Sequence, residues 1–344
     1  MVEKFPTEQQ VADALYECSG DIFNMVDVLR FLNNNDLNKD NAIRFICYLI
    51  GLKIMPVERP NWIPTILKIG NYYNSVISRY FEDCFNEPLF AVKEEAAKNI
   101  EKVVHEKFEW CMGFGYQLKI EPFYIKDAEL RVKRMFAVYT LEVPNFEYLP
   151  EYSLFAYASY LISLLFAIKA GLHPYFAEAV GYRIFLALVK INKHNRQLLE
   201  MKYTEDHFNK FDDLFTYFAK DTKKKMEEAK IDYHRLIWHW ENTLYTDEHM
   251  PINLLLIWDH MFFHVDEFQF FMRFLHVSHL RQMEKAGINF ASKESMESMP
   301  WNAVELMKDC DDIMEQDVGR VKFNYWTLCP CYNLCPSLRK FKRF

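Results

Sequence analysis

DYHRLIWHWENTLYTDEHMPINLLLIWDHMFFHVDEFQFFMRFL, from Asp232 to Leu275, is the stretch from which the fold is read. Leu254, Ile257, Trp258, Met261 and Phe262 fall at the spacing that builds one apolar stripe on a helix, and Pro251 stands where a first helical turn tolerates proline. Phe268, Phe271, Met272 and Leu275 repeat the spacing after Asp266, whose side chain predicts an N-cap with Gln269 as the other half of a capping box. Two helices meeting at a turn are therefore expected. Asp259 sits beside Trp258 on the first stripe, and a carboxylate there must face water or find a donor in the core. His239 and Trp240, on the helix before, are the donors expected for it.

Working outward, the same text continues through most of the chain. The 344 residues are 51% apolar, enough to bury a large core, and contain only 9 glycines with few Asn-Gly or Asp-Gly turns. The expected class is all-α with no β-sheet. A net charge of -7 gives no basic footprint for nucleic acid, so none is expected as the main partner. The opening MVEKFPTEQQ is polar rather than a secretory leader, which points to a cytoplasmic chain with its eight cysteines reduced. Leu154 to Ile168 is the most apolar run, but it is shorter than the roughly 20 residues of a membrane crossing and reads as a buried core helix.

Residues 1–40 read as a helical preface in which Val11, Leu15, Ile22, Val26 and Leu29 are the apolar positions, closed by the loop Asn33 to Asp36. From Asn41 an apolar helix runs to Gly51, followed by a proline-punctuated loop with Trp62 and another helix through Phe81. Arg44-x-x-x-Tyr48, then Leu49-Ile50-Gly51, Pro56, Arg59, Trp62 and the pair Tyr72 and Tyr73 resemble the opening of a TBC domain, the all-helical GTPase-activating domain for Rab proteins. Trp238-His239-Trp240 and Ile257-Trp258-Asp259 are similar to that family's later hallmarks, in the same order. The resemblance covers residues 41–285 and implies two helical lobes, with Arg44, Tyr48, Trp62, Trp240, Trp258 and Asp259 as scaffold. Residues 286–344 would form a C-terminal helical extension with a cysteine-rich, basic tail.

The family acts through two fingers, an arginine in an Ile-x-x-Asp-x-x-Arg helix and a glutamine in a Tyr-x-Gln-Gly loop. A guanidinium fork neutralises charge on the transferred phosphoryl oxygens, and a glutamine amide orients the attacking water. Ile100 to Lys107 matches the first motif best, with Val103 at the aspartate place and Glu106 at the arginine place. A carboxylate repels phosphate rather than stabilising its transition state. Tyr148-Leu149-Pro150-Glu151 stands where the glutamine loop belongs, and Pro150 carries no amide. His105 and Lys107 flank the first place, but an ammonium lacks the planar fork. In a second register, Ile120 to Lys126 puts Lys126 at the arginine place, at the cost of a proline inside the helix and a shortened path to Tyr148. Arg131 and Arg134 are the arginines that a working activator would draw on instead.

Other chemistry is poorly represented. His260 and His264 lie four apart near Asp259 and Glu267, yet no His-Glu-x-x-His unit accompanies them, and no metal or cofactor is expected. No nucleophile elbow and no P-loop are present. The charge run Asp221 to Glu228 reads as a solvated helix face. In the tail, Cys329, Cys331 and Cys335 precede Arg339, Lys340, Lys342 and Arg343. Acylated cysteines beside a basic cluster would hold the chain at an anionic endomembrane, whereas a docked segment would use them as small apolar residues. The resemblance implies as partner a Rab-type small GTPase in its GTP-bound state. His105, Glu106, Lys107, Tyr148 and Pro150 are the contact candidates in a regulator of vesicle traffic with little or no activating power. An active enzyme with a non-standard arginine and a membrane-linked scaffold are the alternatives.

Overall fold

Sixteen α-helices form among the residues described in this computed structural model, which are 3–20, 22, 24–33, 40–143, 147–200, 203–290, 292, 295–296 and 298–328, and no strand forms among them. The tail cysteines Cys329, Cys331 and Cys335 and the basic residues after them lie outside the described residues, as does most of the Asn33 to Asp36 loop. The chain divides into two compact units, residues 1–208 with 232–268, and residues 209–231 with 269–344.

The first unit is built around α9 (Pro150–Lys169) and α10 (Pro174–Glu200). α9 is long and apolar enough to cross a membrane, but 83% of its apolar window is buried inside the fold, which is the environment of a core helix. Small residues let the pair approach closely. A Cβ on Gly181 would come within 3.1 Å of the Ser159 carbonyl oxygen, so a larger residue would push α10 off α9.

α3 (Asn41–Gly51) packs on α9 and on α14 (Pro251–Phe263). Asp40 caps α3 through the Ala42 amide. Gly51 is needed at its end, because a Cβ there would lie 2.9 Å from the carbonyl oxygen of Phe262. Asp259 does not use His239 or Trp240. It accepts from Arg44, at 2.9 Å from Nε and 3.2 Å from Nη2, and both residues are buried. The guanidinium offers two parallel donors to a carboxylate, which a histidine or indole cannot match. The Tyr48 hydroxyl donates to the Leu255 carbonyl, and its ring meets Phe262 edge-on. Trp258 donates to the carbonyl of Leu244 at 2.9 Å.

α4 (Trp62–Tyr80) follows a short 3-10 turn, with Trp62 buried and donating to the Pro56 carbonyl. α1 (Glu8–Cys18), with a complete capping box on Thr7 and Gln10, packs on α4. The N-terminal apolar stripe does not run through to a single face. It breaks between α1 and α2 (Met25–Asn33), so α2 buries Val28 and Leu32 and leaves Val26 exposed. The second helix of the opening stretch also starts later than its capping signal: Val265–Glu267 form a 3-10 turn, and α15 (Phe268–Lys285) begins after it. Asp266 is paired with Lys53 instead of capping the helix.

In the second unit, α12 (Lys220–Glu228) buries Thr222 and Met226. Lys225 and Thr222 both reach Glu284 of α15, so the charge run is only partly a solvated face. Gln282 exchanges hydrogen bonds with the Asn302 backbone at 2.8 and 3.1 Å, which fixes the entry into α16 (Ala303–Leu328).

Candidate functional site

The turn carrying His105, Glu106 and Lys107 joins α5 (Glu94–His105) to α6 (Phe108–Gln117). α5 is amphipathic: Ile100, Val103 and Val104 are buried, and the helix ends because Glu106 closes it with a bond from its amide to the Lys102 carbonyl. Val103 is a core residue 8% exposed. The Glu106 side chain is exposed and makes no ion pair among the described residues. His105 is drawn to Glu129 at 3.1 Å, on α8 (Ala128–Glu142). Burial pushes the Glu129 carboxyl up, but hydrogen bonds from Lys133 and His105 outweigh it and hold the group below its ordinary value.

Lys107 turns the other way, to 4.0 Å from Asp247. Asp247 belongs to the tight turn after α13 (Tyr233–Thr243), where Leu244 and Tyr245 are both left-handed, at φ 48° and 64°. That conformation is costly for side chains with a Cβ. Packing holds it: both residues are fully buried, Tyr245 stacks on Trp240, and the Leu244 carbonyl takes the Trp258 indole. His239 lies 3.8 Å from Asp247 and 3.9 Å from Glu248.

Pro150 is exposed at the first position of α9, where its missing N–H costs nothing. Glu151 follows it into the same neighbourhood. Burial pushes the Glu151 carboxyl up, and Asp247 adds to this while Arg196 and His239 pull it down. Arg196 is bound to Glu147 at 2.7 Å. Tyr148 is half-buried, with its hydroxyl 3.4 Å from that of Thr140. Asp247 thus lies beside Lys107 and its charge reaches Glu151, the residue after Pro150. His105 faces away, toward Glu129. Asp247, Glu151, His239 and Arg196 were missed from the sequence as members of this neighbourhood, and no local signal marks them, because Asp247 arrives only through the left-handed turn.

The replacement arginines are not available. Arg134 is 1% exposed, and its Nε and Nη2 lie 2.6 and 2.7 Å from Glu178; Arg131 is 4% exposed, at 3.0 Å from the same carboxylate and 2.9 Å from Glu3. Both are consumed by the core. The Ile120 to Lys126 register is also altered: Pro122 begins the short helix α7 (Pro122–Lys126) instead of interrupting one, and Lys126 is exposed at its end. Of the paired histidines, His260 is buried and Asp259 is taken by Arg44.

The fold is similar to that in the crystal structure of the Ypt/Rab-GAP domain of Gyp1p, with a TM-score of 0.61 over 90% of this chain and 98% of that one, at 10% sequence identity. No protein-family model matches the chain, and no curated protein matches it by sequence. The all-α, TBC-like fold expected from the sequence is the fold observed.

Proposed function

We propose that the chain is a Rab-binding regulator of vesicle traffic that uses a TBC-like scaffold without accelerating GTP hydrolysis. The observation that supports the reading is the α5–α6 turn, where Glu106, the residue that the family resemblance sets at the arginine place, is an exposed carboxylate and the neighbouring Lys107 leans toward Asp247. A phosphoryl group approaching this turn would meet like charge, and an arginine finger is worth on the order of a thousandfold in rate or more. Pro150 supplies no amide to orient water. The partner expected is a small GTPase in its GTP-bound form, met by a cytoplasmic or membrane-peripheral protein.

Binding of a panel of Rab-type GTPases, each loaded with a non-hydrolysable GTP analogue or with GDP, tests the first half. At least one member should bind at micromolar concentration in the GTP-like form and more weakly with GDP; no binding across the panel would leave a scaffold role in its place. A second reading, activation by an arginine from elsewhere in the chain, has one observation in its favour: the half-buried Arg196 carries its charge near enough to Glu151 to pull that carboxyl down. Under the proposal Arg196 is held by Glu147, and Arg196→Ala leaves the hydrolysis rate of the bound GTPase unchanged.

A further inference from the structure

α10 buries one side against α9 and turns a different side outward. Arg183, Leu186, Ala187, Lys190, Ile191 and His194 recur at helical spacing along it, the three apolar residues half-buried and the other three exposed. Between this stripe and a wall made by residues 52–54 with Val265, Asp266 and Phe268 lies a hollow of about 530 Å³. A second hollow of about 310 Å³, walled by Tyr139 and Lys193, shares Leu186, Lys190 and His194 with the first. Together they form one open groove with an apolar floor, of a size that suits a small amphiphile.

Its rim is basic in a chain of net charge -7. Lys53, Arg183, Lys190 and Lys193 face a single lining carboxylate, Asp266, which Lys53 already neutralises. Arg183 and Lys190 make no ion pair among the described residues, and Lys193 lies 5.7 Å over the Tyr139 ring. Glu142, the further carboxylate near Arg183, accepts from the Tyr72 hydroxyl and lies 3.9 Å from Arg79. Three cations thus stand over apolar surface with no ion-pair partner among the described residues. An acidic peptide would satisfy the rim and leave Leu186, Ala187 and Ile191 in water. A neutral lipid would cover the floor and leave the cations unanswered. A phosphate carrying an acyl chain answers both.

We propose that this groove binds an anionic phospholipid at a membrane surface, its phosphate at Arg183 and Lys190 and the first part of its chain on Leu186, Ala187 and Ile191. None of the residues that line it belongs to the turn at Glu106, and the proposal does not depend on a GTPase partner.

Co-sedimentation of the full chain with phosphatidylcholine vesicles, with and without phosphatidylserine, tests it in a background where Arg339, Lys340, Lys342 and Arg343 are replaced by alanine. Binding to the anionic vesicles alone is expected. Arg183→Glu with Lys190→Glu should lower that affinity about tenfold or more, as two basic groups near an anionic surface imply. Ile191→Ser, which leaves every charge in place, should lower it several-fold. Circular dichroism and the unfolding midpoint should be unchanged in both, since the altered side chains are exposed or half-buried. Full binding by the double variant overturns the proposal. So does full binding by Ile191→Ser, or competition by polyglutamate at the concentration that saturating vesicles require.

Discussion

Arg44 is 4% exposed and clasped by Asp259, whereas Glu106, at the turn between α5 and α6, is exposed and meets no cation among the described residues. Arg131 and Arg134 extend the first pattern around Glu178, with Tyr73 donating a further bond at 2.8 Å. In the interior each guanidinium is fixed by a carboxylate that cannot be left alone, so identity there is tied to the fold. At the turn the side chain contributes almost nothing to the fold. The buried pairs hold helices together, whereas a change of side chain at the turn leaves that packing untouched.

The contrast breaks most sharply at Glu178. Arg134→Met removes its strongest partner and leaves a fully buried carboxylate short of charge, which should cost about 3–5 kcal/mol in denaturant unfolding. A loss under about 1 kcal/mol would show that the cluster is not holding the core. Arg44→Leu should fall in the same range, for the same reason.

Acid should find the interior before the turn. Burial holds His249 down to about 3, so it stays neutral in the fold while the unfolded histidine takes a proton near 6.5. Stability is unaffected above that value and falls as pH drops below it, by up to about 1.4 kcal/mol per unit. Glu178 joins later. Its two arginines hold its carboxyl below the ordinary range against burial, so its contribution is present above the unfolded carboxylate value and lost as pH falls through the lower folded one. His249→Asn should flatten the unfolding profile between about pH 6.5 and 4.5; an unchanged slope would place the acid sensitivity elsewhere.

Smaller effects follow at the helix junction and the turn. Gly51→Ala drives a methyl into the Phe262 carbonyl and should cost about 1–3 kcal/mol through separation of α3 from α14. Glu106→Arg should change stability by less than about 0.5 kcal/mol, because the side chain stands in water. Thermal unfolding of the two variants side by side checks the difference.

Much of the fold was legible because helical periodicity is a local signal: the stripes of α9 and α14 state which face is buried before any partner is known. The Arg44–Asp259 pair was half legible. Each residue is a lone charge on an apolar helix and so demands a partner, but they are 215 positions apart and the nearer donors, His239 and Trp240, were preferred. Arg131 and Arg134 looked free because Glu178 lies within an apolar run and its burial is a tertiary fact. Of the candidate site, the sequence offered two positions, Glu106 and Pro150, through the family resemblance alone. That Asp247 comes to Lys107 depends on consecutive left-handed residues at Leu244 and Tyr245, which neither residue type announces.

Single-turnover GTP hydrolysis by a bound Rab-type GTPase, followed as this chain is raised from catalytic to saturating concentration, tests the central claim most directly. The account predicts that the rate stays at the GTPase's own value even when the complex is fully formed. Clear acceleration at catalytic concentration would contradict it and make the chain a working activator despite Glu106 and Pro150.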